Sequence, residues 1–481
     1  MNKLYIYISL MAGILFTACT KDFEEINTNP NSPVNAQSDL LMRQVIYDFG
    51  ENLSFEGYSA GNLLGQHFTK IDFNLFDRHN LLSSQNGGNP WPFIYENLRN
   101  NEILLNKALQ GGVDAIYEGP SRIMKAYMVM ILTDLYGDVP YFEAFQGKDG
   151  IIAPKYDKQE DIYQADGGII WQLNKAIEQI DAFNGTATLG GDIIYNGNLS
   201  AWKKMANSLK IKALVRISGK VNVSNELQAI YNEANYIKNN SENAIFNFTN
   251  SQPNSFRIAT LRAGDFGNFI LSETMDSVME KLNDPRVGVL FRPTENNPNE
   301  FNGLRNGPDA SNLSISVADY SLTGTIFREN TSALDCNFIT AWETVFLLAE
   351  AAQKGLISAD PKLLYDNAVG LAFEYWGTEL PNDYLSTGNA SYASNGQNPL
   401  EQIITQKWIA NSINGYEPWV EWRRTGFPIF KTVTASFNND LIPVRMPYPQ
   451  DEAALNSSNY NEAASNTNGN SVNSKVWWDM D

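Results

Sequence analysis

Apolar residues recur at helical spacing through most of the chain. In the segment SDLLMRQVIYDF, Leu41, Val45 and Phe49 fall on one face of a helix. The same spacing predicts further helices in PWPFIYENLRNNEILLNKAL, in SAWKKMANSLKIKALVRIS, and in SRIMKAYMVMILTDLYG, which ends at the capping residue Gly137. The pattern therefore predicts a mainly α-helical protein.

One pair of helices is delimited by residues that typically end or start a helix. The segment FITAWETVFLLAEAAQKGL predicts a helix that breaks at Gly355. Asp360 and Pro361 then provide the cap and the first position of a second helix, which runs to Tyr375. Such an antiparallel pair of about forty residues is the unit of helical repeat arrays, although no strict repeat consensus is present. We expect Cys336 to be a small core residue in the helix around it.

The helical pattern is interrupted between Glu242 and Thr331. NAIFNF alternates like a short strand, and the remainder is rich in Asn, Gly and Pro with scattered aromatic residues. Residues 83–92, 296–314 and 378–399 are predicted to be long loops, and loops of this length often carry function. The polar, low-complexity segment 456–474 predicts a surface coil.

The N-terminus has the build of a secretory signal. Lys3 precedes an uncharged apolar run that extends from Leu4 to Ala18 and stops at Cys19. As a helix this run would span roughly 22 Å, which is short of the ~30 Å hydrocarbon core of a bilayer. The sequence before Cys19, LFTA, resembles a bacterial lipobox, which implies cleavage before Cys19 and acylation of this residue. Several acyl chains would then form a stable membrane anchor.

The net charge of the chain limits the kinds of molecule that it can bind. The chain carries a net charge of −19 at pH 7, and its pI is near 4.6. Nucleic-acid binding requires clustered Lys and Arg, so we exclude nucleic acid as a partner. No second apolar run of 18 residues occurs in the sequence.

The sequence isolates no catalytic residues, metal site or cofactor motif. His67 and His79 lack a short zinc-ligand spacing, and there is no P-loop or dinucleotide fingerprint. Asp138 follows a helix end and precedes Pro140, so we interpret it as a turn residue. A glycosidase pair among the many carboxylates stays open at this point. We expect Arg423 and Arg424 to be internal ion-pair partners.

Five segments in order resemble one family. They are LTDLYGDVPYFEAF, AWKKMANSLKIKALVRIS, QKWIANSINGYEPWVEWRRTGFP, RMPYPQDEAALN and VWWD. Together with the mature end CTKDFEEINTNPN, they are similar to the SusD/RagB outer-membrane lipoproteins of Bacteroidetes, in the SusD-like branch. The acidic residues after Cys19 resemble the surface-export signal of such lipoproteins.

The resemblance implies a fold and a domain organisation. It predicts a single SusD-like domain, mainly α, with tetratricopeptide-like helix pairs, long irregular loops and a few short strands. The boundaries are a lipoprotein signal peptide over residues 1–18, a tether over 19–37 and the helical nutrient-binding domain over 38–481.

The resemblance also implies a role without chemistry. A family member captures a nutrient, usually an oligosaccharide and sometimes a peptide, at the outside of the outer membrane, to which its lipid holds it. It passes the nutrient to a SusC-like TonB-dependent transporter. Three other readings stay open: a peptide-binding member of the family, a surface hydrolase, and a structural lid with no ligand site of its own.

Sugar rings present C–H patches and hydroxyl groups, so a sugar site needs flat apolar faces beside hydrogen-bonding groups. Two loop regions offer both. We expect the ligand-binding residues to be Phe73, Phe76, Arg78, Asn89 and Trp91 in the first region, and Phe266, Asn268, Phe269, Arg292 and Tyr320 in the second. By contrast, we interpret Trp202, Trp408, Trp419 and Trp422 as core residues on helical faces.

Overall fold

The computed structural model describes residues 37–82, 87–261, 269–309 and 315–479. Cys19, the signal segment and most of the expected tether therefore lie outside the described residues. Helices dominate, and the described strands form two small two-stranded sheets. This arrangement confirms the prediction of a mainly α-helical fold with a few short strands.

The elements are numbered in chain order. The helices in the first half are α1 (Ser38–Glu56), α2 (Trp91–Leu109), α3 (Glu118–Tyr136), α4 (Gln159–Gln164), α5 (Ile169–Ala182), α6 (Leu199–Ile217) and α7 (Ser224–Glu233). Those in the second half are α8 (Glu273–Leu282), α9 (Val287–Leu290), α10 (Ala341–Gln353), α11 (Pro361–Tyr375), α12 (Pro399–Ala410), α13 (Glu417–Thr425), α14 (Gln450–Leu455) and α15 (Ser457–Asn466). The strands are β1 (Phe68–Lys70), β2 (Ala244–Asn247), β3 (Phe269–Leu271) and β4 (Asp335–Ile339). A π-helical turn, Gly57–Gly61, continues α1 into the short helical turn Asn62–Leu64.

Helices adjacent in sequence pack as pairs: α2 with α3, α5 with α6, and α10 with α11. The connection between α10 and α11 is short because a capping residue, Asp360, starts α11 soon after α10 ends. The Asp360 side chain accepts a hydrogen bond from the backbone N–H of Lys362, and Pro361 occupies the first helical position. Both features were predicted, and so was the end of α3 at Gly137, whose φ is 80°.

Two local predictions are wrong. Cys336 is buried, as expected, but it lies in β4 rather than in a helix, opposite Phe246 of β2. The following helix begins only at Ala341, because the Thr340 side chain caps it. The polar segment 456–474 is not a coil throughout, since it contains α15. The side-chain amide of Asn456 holds that helix against the chain by donating to the carbonyl of Pro154.

The predicted core tryptophans pack inside. Trp202, Trp408 and Trp419 are fully buried, and each indole N–H has an acceptor. Trp422 is half-buried, and its ring stacks on Phe430 at a centroid distance of 4.8 Å. A buried indole N–H without an acceptor would cost roughly 1–3 kcal/mol, so these hydrogen bonds fix the orientation of the rings.

A buried ion network joins the helices. Arg216 on α6 contacts Asp134 on α3 at 3.1 Å and Glu417 on α13 at 2.7 Å, and it also pairs with Glu421. Burial alone would raise the pKa of Glu421, but Arg424, Lys407 and Arg216 together hold that pKa well below its usual value.

The contacts of Arg423 and Arg424 test the prediction that both are internal ion-pair partners. It is confirmed for Arg424, which pairs with Glu350 and Glu421. Arg423 instead donates to backbone carbonyls, those of Val444 and Asp134.

Within the described ranges, no helix combines the length and the apolar character that crossing a membrane requires.

Candidate functional site

The sheet formed by β1 and β3 brings the two predicted ligand regions together. Lys70 of β1 lies opposite Phe269 of β3 in the antiparallel register. The ammonium group of Lys70 is 5.2 Å from the centre of the Phe269 ring and 5.8 Å from that of Phe73. The first predicted region follows β1 directly, and the second contains β3. Their proximity therefore follows from this strand pairing.

Asp77 fastens the loop that follows β1. Its carboxylate accepts hydrogen bonds from the Thr69 hydroxyl at 2.8 Å, the Asn306 amide at 2.7 Å and the Gly307 backbone N–H at 2.8 Å. A longer hydrogen bond comes from the backbone N–H of Lys70. Burial raises the pKa of Asp77 to about 6, although these donors favour the ionised form. The loop is thus tied both to β1 and to the segment before Asp309.

Arg78, the next residue, meets a loop from the far end of the chain. Its Nε donates to the carbonyl of Ala435 at 2.8 Å, and its guanidinium lies 4.3 Å from the centre of the Phe437 ring. Asp309 is 3.9 Å from one Nη atom. Phe437 is 52% exposed and Phe73 is 69% exposed, so both present ring surface to solvent. We call Phe73, Arg78 and Phe437 the loop face.

Three other predicted residues are buried. Phe76 packs beside Gly88, and Phe269 packs against Tyr58 at a centroid distance of 4.8 Å. Trp91 lies within an aromatic cluster, 4.8 Å from Tyr95 and 4.9 Å from Tyr136. In this structure the three rings therefore pack inside the fold.

The other predicted residues have separate surroundings or lie outside the described residues. Asn89 is exposed and lines a cavity of about 230 Å³ together with Tyr448. Arg292 donates to the carbonyl of Thr323 at 2.9 Å and pairs with Glu329. Tyr320 is half-buried on the segment that bridges to β3. Phe266 and Asn268 lie outside the described residues.

Sequence reasoning missed Phe437. The segment SFNND places this phenylalanine beside two asparagines, which is the same composition that marked the first predicted region. Only the tertiary contact with Arg78 distinguishes Phe437 from other loop aromatics.

A larger cavity of about 310 Å³ lies between α8 and α12. Its walls include the aliphatic side chains of Val278, Leu282 and Ile429, and Tyr365 is the one aromatic residue among the described residues that line it. It therefore lacks the exposed ring faces of the loop face. Over the described ranges, no group of three His, Cys, Asp or Glu side chains is placed to hold a metal ion.

Comparison with known proteins places this geometry in a family. A sequence profile of the SusD-like family, described as starch-binding and associating with the outer membrane, matches residues 30–449. No curated protein matches the chain.

Many solved structures share the fold. A chitin-binding protein has 24% sequence identity and a TM-score of 0.78, with 92% of this chain and 100% of that chain covered. A SusD homolog from Bacteroides fragilis has 23% identity and a TM-score of 0.78, with coverage of 93% and 100%. A chitin-binding SusD homolog from Flavobacterium johnsoniae has 21% identity and a TM-score of 0.77, with coverage of 92% and 99%.

The family match covers most of the chain, and the helical fold agrees with it. The chain belongs to the SusD-like family, as the sequence resemblance predicted.

Proposed function

We propose that this chain binds an oligosaccharide at its loop face on the cell surface and delivers it to a SusC-like TonB-dependent transporter. The observation that carries the proposal is a pair of exposed rings: Phe73 lies on the loop that Asp77 fastens, and Phe437 contacts Arg78 of the same loop. The family description as starch-binding, and the chitin-binding relatives of the same fold, support a glycan as the ligand.

The chemistry of the loop face suits a sugar. An exposed phenyl ring can cover the C–H face of a pyranose, and each such contact contributes about 1 kcal/mol, judged from aromatic pair energies. Arg78 commits its Nε to the carbonyl of Ala435 and one Nη to the ion pair with Asp309, so its other Nη group can donate to ligand hydroxyls.

The loop face is also held in place before a ligand arrives. The hydrogen bonds to Asp77 and the contact between Arg78 and Phe437 fix the loops relative to β1. Such prior ordering reduces the conformational entropy that binding costs.

The test is calorimetric titration of the purified chain with maltohexaose and chitohexaose. We expect Phe437→Ala and Phe73→Ala each to weaken binding about fivefold, which corresponds to the ~1 kcal/mol of one aromatic contact. Leu455→Ala is the matched control, because Leu455 is 80% exposed and lies on α14. If the double phenylalanine variant bound both sugars as the parent does, the loop face would be excluded as the site. Binding of peptides but of neither sugar would favour the peptide-binding alternative.

Attachment and delivery complete the proposal. Acylation of Cys19 would hold the domain at the outer membrane, where the family description also places its members. A captured sugar then needs a protein channel to cross that membrane, and the resemblance names a SusC-like barrel as the channel.

A further inference from the structure

A second partly exposed phenylalanine has an unfavourable backbone conformation. Phe145 has φ of 65°, in the left-handed region that favours Gly, Asn and Asp. A bulky residue is strained there and persists only where its surroundings hold it. Among the described residues, Phe73 of the loop face is the other phenylalanine with a positive φ. Both rings reach solvent, and Phe145 is 37% exposed.

Phe145 borders a cavity of about 330 Å³ between helices α2 and α3 and the loop that follows α3. Phe142 and Phe145 provide ring surfaces, and Glu102 and Lys125 lie on the helical side. Lys125 pairs with Glu102 at 2.8 Å, and its ammonium group is 5.5 Å from the centre of the Tyr141 ring. The cavity thus combines aromatic faces with a fixed ion pair.

Two polar side chains at this cavity have no partner among the described residues. Within the described part of the chain, neither the Asn106 amide nor the Asp149 carboxylate forms a side-chain hydrogen bond or an ion pair. By contrast, the Gln146 amide is occupied, since it donates to the carbonyl of Phe142 at 2.7 Å. Asn106 and Asp149 are therefore the groups with free capacity for a ligand, the first as donor and acceptor and the second as acceptor.

We infer that this cavity is a second saccharide site, in which Phe145 stacks on a neutral sugar ring while Asn106 and Asp149 bind its hydroxyl groups. The inference takes its ligand class from the proposed function but uses none of the residues of the loop face. Glu102 and Asp149 bring two negative charges against the single positive charge of Lys125. This local excess of negative charge disfavours acidic sugars, whereas the hydroxyl groups of a neutral sugar donate hydrogen bonds readily to carboxylates.

The cavity and the loop face are carried by different segments. The ring centre of Phe145 is 6.2 Å from that of Tyr95, which is 4.8 Å from that of Trp91. The Phe145 ring therefore packs on the first turns of α2. Phe437 lies on the loop after α13. Two modest sites on one tethered chain would retain a long glycan better than either site alone.

The test uses the full chain, titrated calorimetrically with maltotetraose and chitotetraose. We expect two sugars bound per chain in the parent. Phe145→Asn should weaken binding at one site about fivefold, Phe437→Ala should weaken binding at the other about fivefold, and the double variant should weaken both. Phe145→Tyr, which keeps the ring, should retain both. Tetragalacturonate, an acidic sugar of equal length, should not occupy the Phe145 site.

The two proposals fail in different ways. If Phe145→Asn bound as the parent does while Phe437→Ala weakened one site, the second site would be excluded and the loop face retained. The reverse result would exclude the loop face and retain the cavity. No binding of either tetrasaccharide would overturn both.

Stability supplies an independent criterion. Asparagine fits the left-handed conformation, so Phe145→Asn should leave the urea midpoint of unfolding unchanged or raise it. A lowered midpoint would mean that Phe145 serves the packing of the fold, and it would overturn the inference.

Discussion

The carboxylate of Asp77 accepts a hydrogen bond of 2.7 Å from the side-chain amide of Asn306, which lies 229 positions further along the chain. This bond joins the loop after β1 to the segment before Asp309, so it determines where Arg78 is held.

The first prediction is a pH dependence of stability that comes from Asp77. Burial raises its pKa to about 6 in the folded chain, above the ordinary value of 3.8. The folded chain then holds this proton more tightly than the unfolded chain does. The stability it contributes is present below pH 4 and is lost as the pH rises through about 6.

The measurement compares melting temperatures of the parent and of Asp77→Asn from pH 3.5 to pH 7. We expect the advantage of the parent over the variant to shrink between pH 4 and pH 6. The exposed Asp383→Asn serves as the control. An advantage that stayed constant over this range would contradict the prediction.

The second prediction concerns Gly88. It has φ of 87°, and a Cβ atom there would overlap the Phe76 ring. Gly111 has a similar φ of 84°, but a Cβ atom there would meet nothing within 4 Å. Both alanine variants carry the backbone strain, of about 1 kcal/mol or more, whereas Gly88→Ala adds overpacking of about 1–3 kcal/mol. The urea midpoint of unfolding should therefore be lower for Gly88→Ala than for Gly111→Ala. Equal midpoints would show that the Phe76 ring moves aside without cost.

The third prediction concerns the buried ion network. Arg216→Met leaves the carboxylates of Asp134, Glu417 and Glu421 without their shared cation, so we expect a loss of about 3–5 kcal/mol in the free energy of unfolding. Arg99→Met is the control, because the ion pair between Arg99 and Glu96 is exposed and contributes at most about 1 kcal/mol. Similar losses in the two variants would argue against a structural role for the network.

The fourth prediction concerns the anchor. Cys19→Ala removes the thiol that a lipoprotein pathway would acylate, so the chain should stay uncleaved or be released as a soluble protein. Metabolic labelling with a radioactive fatty acid checks this expectation. Undiminished label in the variant would rule out Cys19 as the lipidated residue, and Cys336→Ala is the matched cysteine control.

The fifth prediction concerns the partner. Affinity purification of the chain after extraction in mild detergent should recover a SusC-like transporter in near-stoichiometric amount, because a stable contact buries well over ~1,200 Å². Recovery of the chain alone at low salt, with the transporter expressed, would instead indicate a free-standing binder.

The sequence predicts best those features that short-range chemistry determines. The start of α11 is an example, because Asp360 and Pro361 are adjacent to the helix that they initiate. Prediction from the sequence fails where contact with a distant segment determines the local structure. Cys336 precedes an apolar run that is typical of a helix, yet pairing with β2 makes its segment a strand. Likewise α15 is mostly polar, and contacts of Asn456 and Asn459 with Pro154 hold it in place.

The candidate site shows the same division. Arg78 is recognisable from the local mixture of aromatic and polar residues, but its hydrogen-bond acceptor Ala435 lies 357 positions away. No local pattern reveals that Phe76, Trp91 and Phe269 turn inward while Phe73 turns outward. That outcome depends on which neighbouring loops cover each ring.

The order of synthesis gives the buried network a further consequence. Lys212 and Arg216 on α6 are made long before Glu343, Glu417 and Glu421, the carboxylates that compensate their charges in the interior. Asp134 also receives a hydrogen bond of 2.8 Å from the indole of Trp478, near the end of the chain. In a repeat array, early helices can settle as soon as their neighbours exist. Here α6 cannot bury its cations without cost until α13 has been made, which should keep the nascent chain open until its last segments arrive.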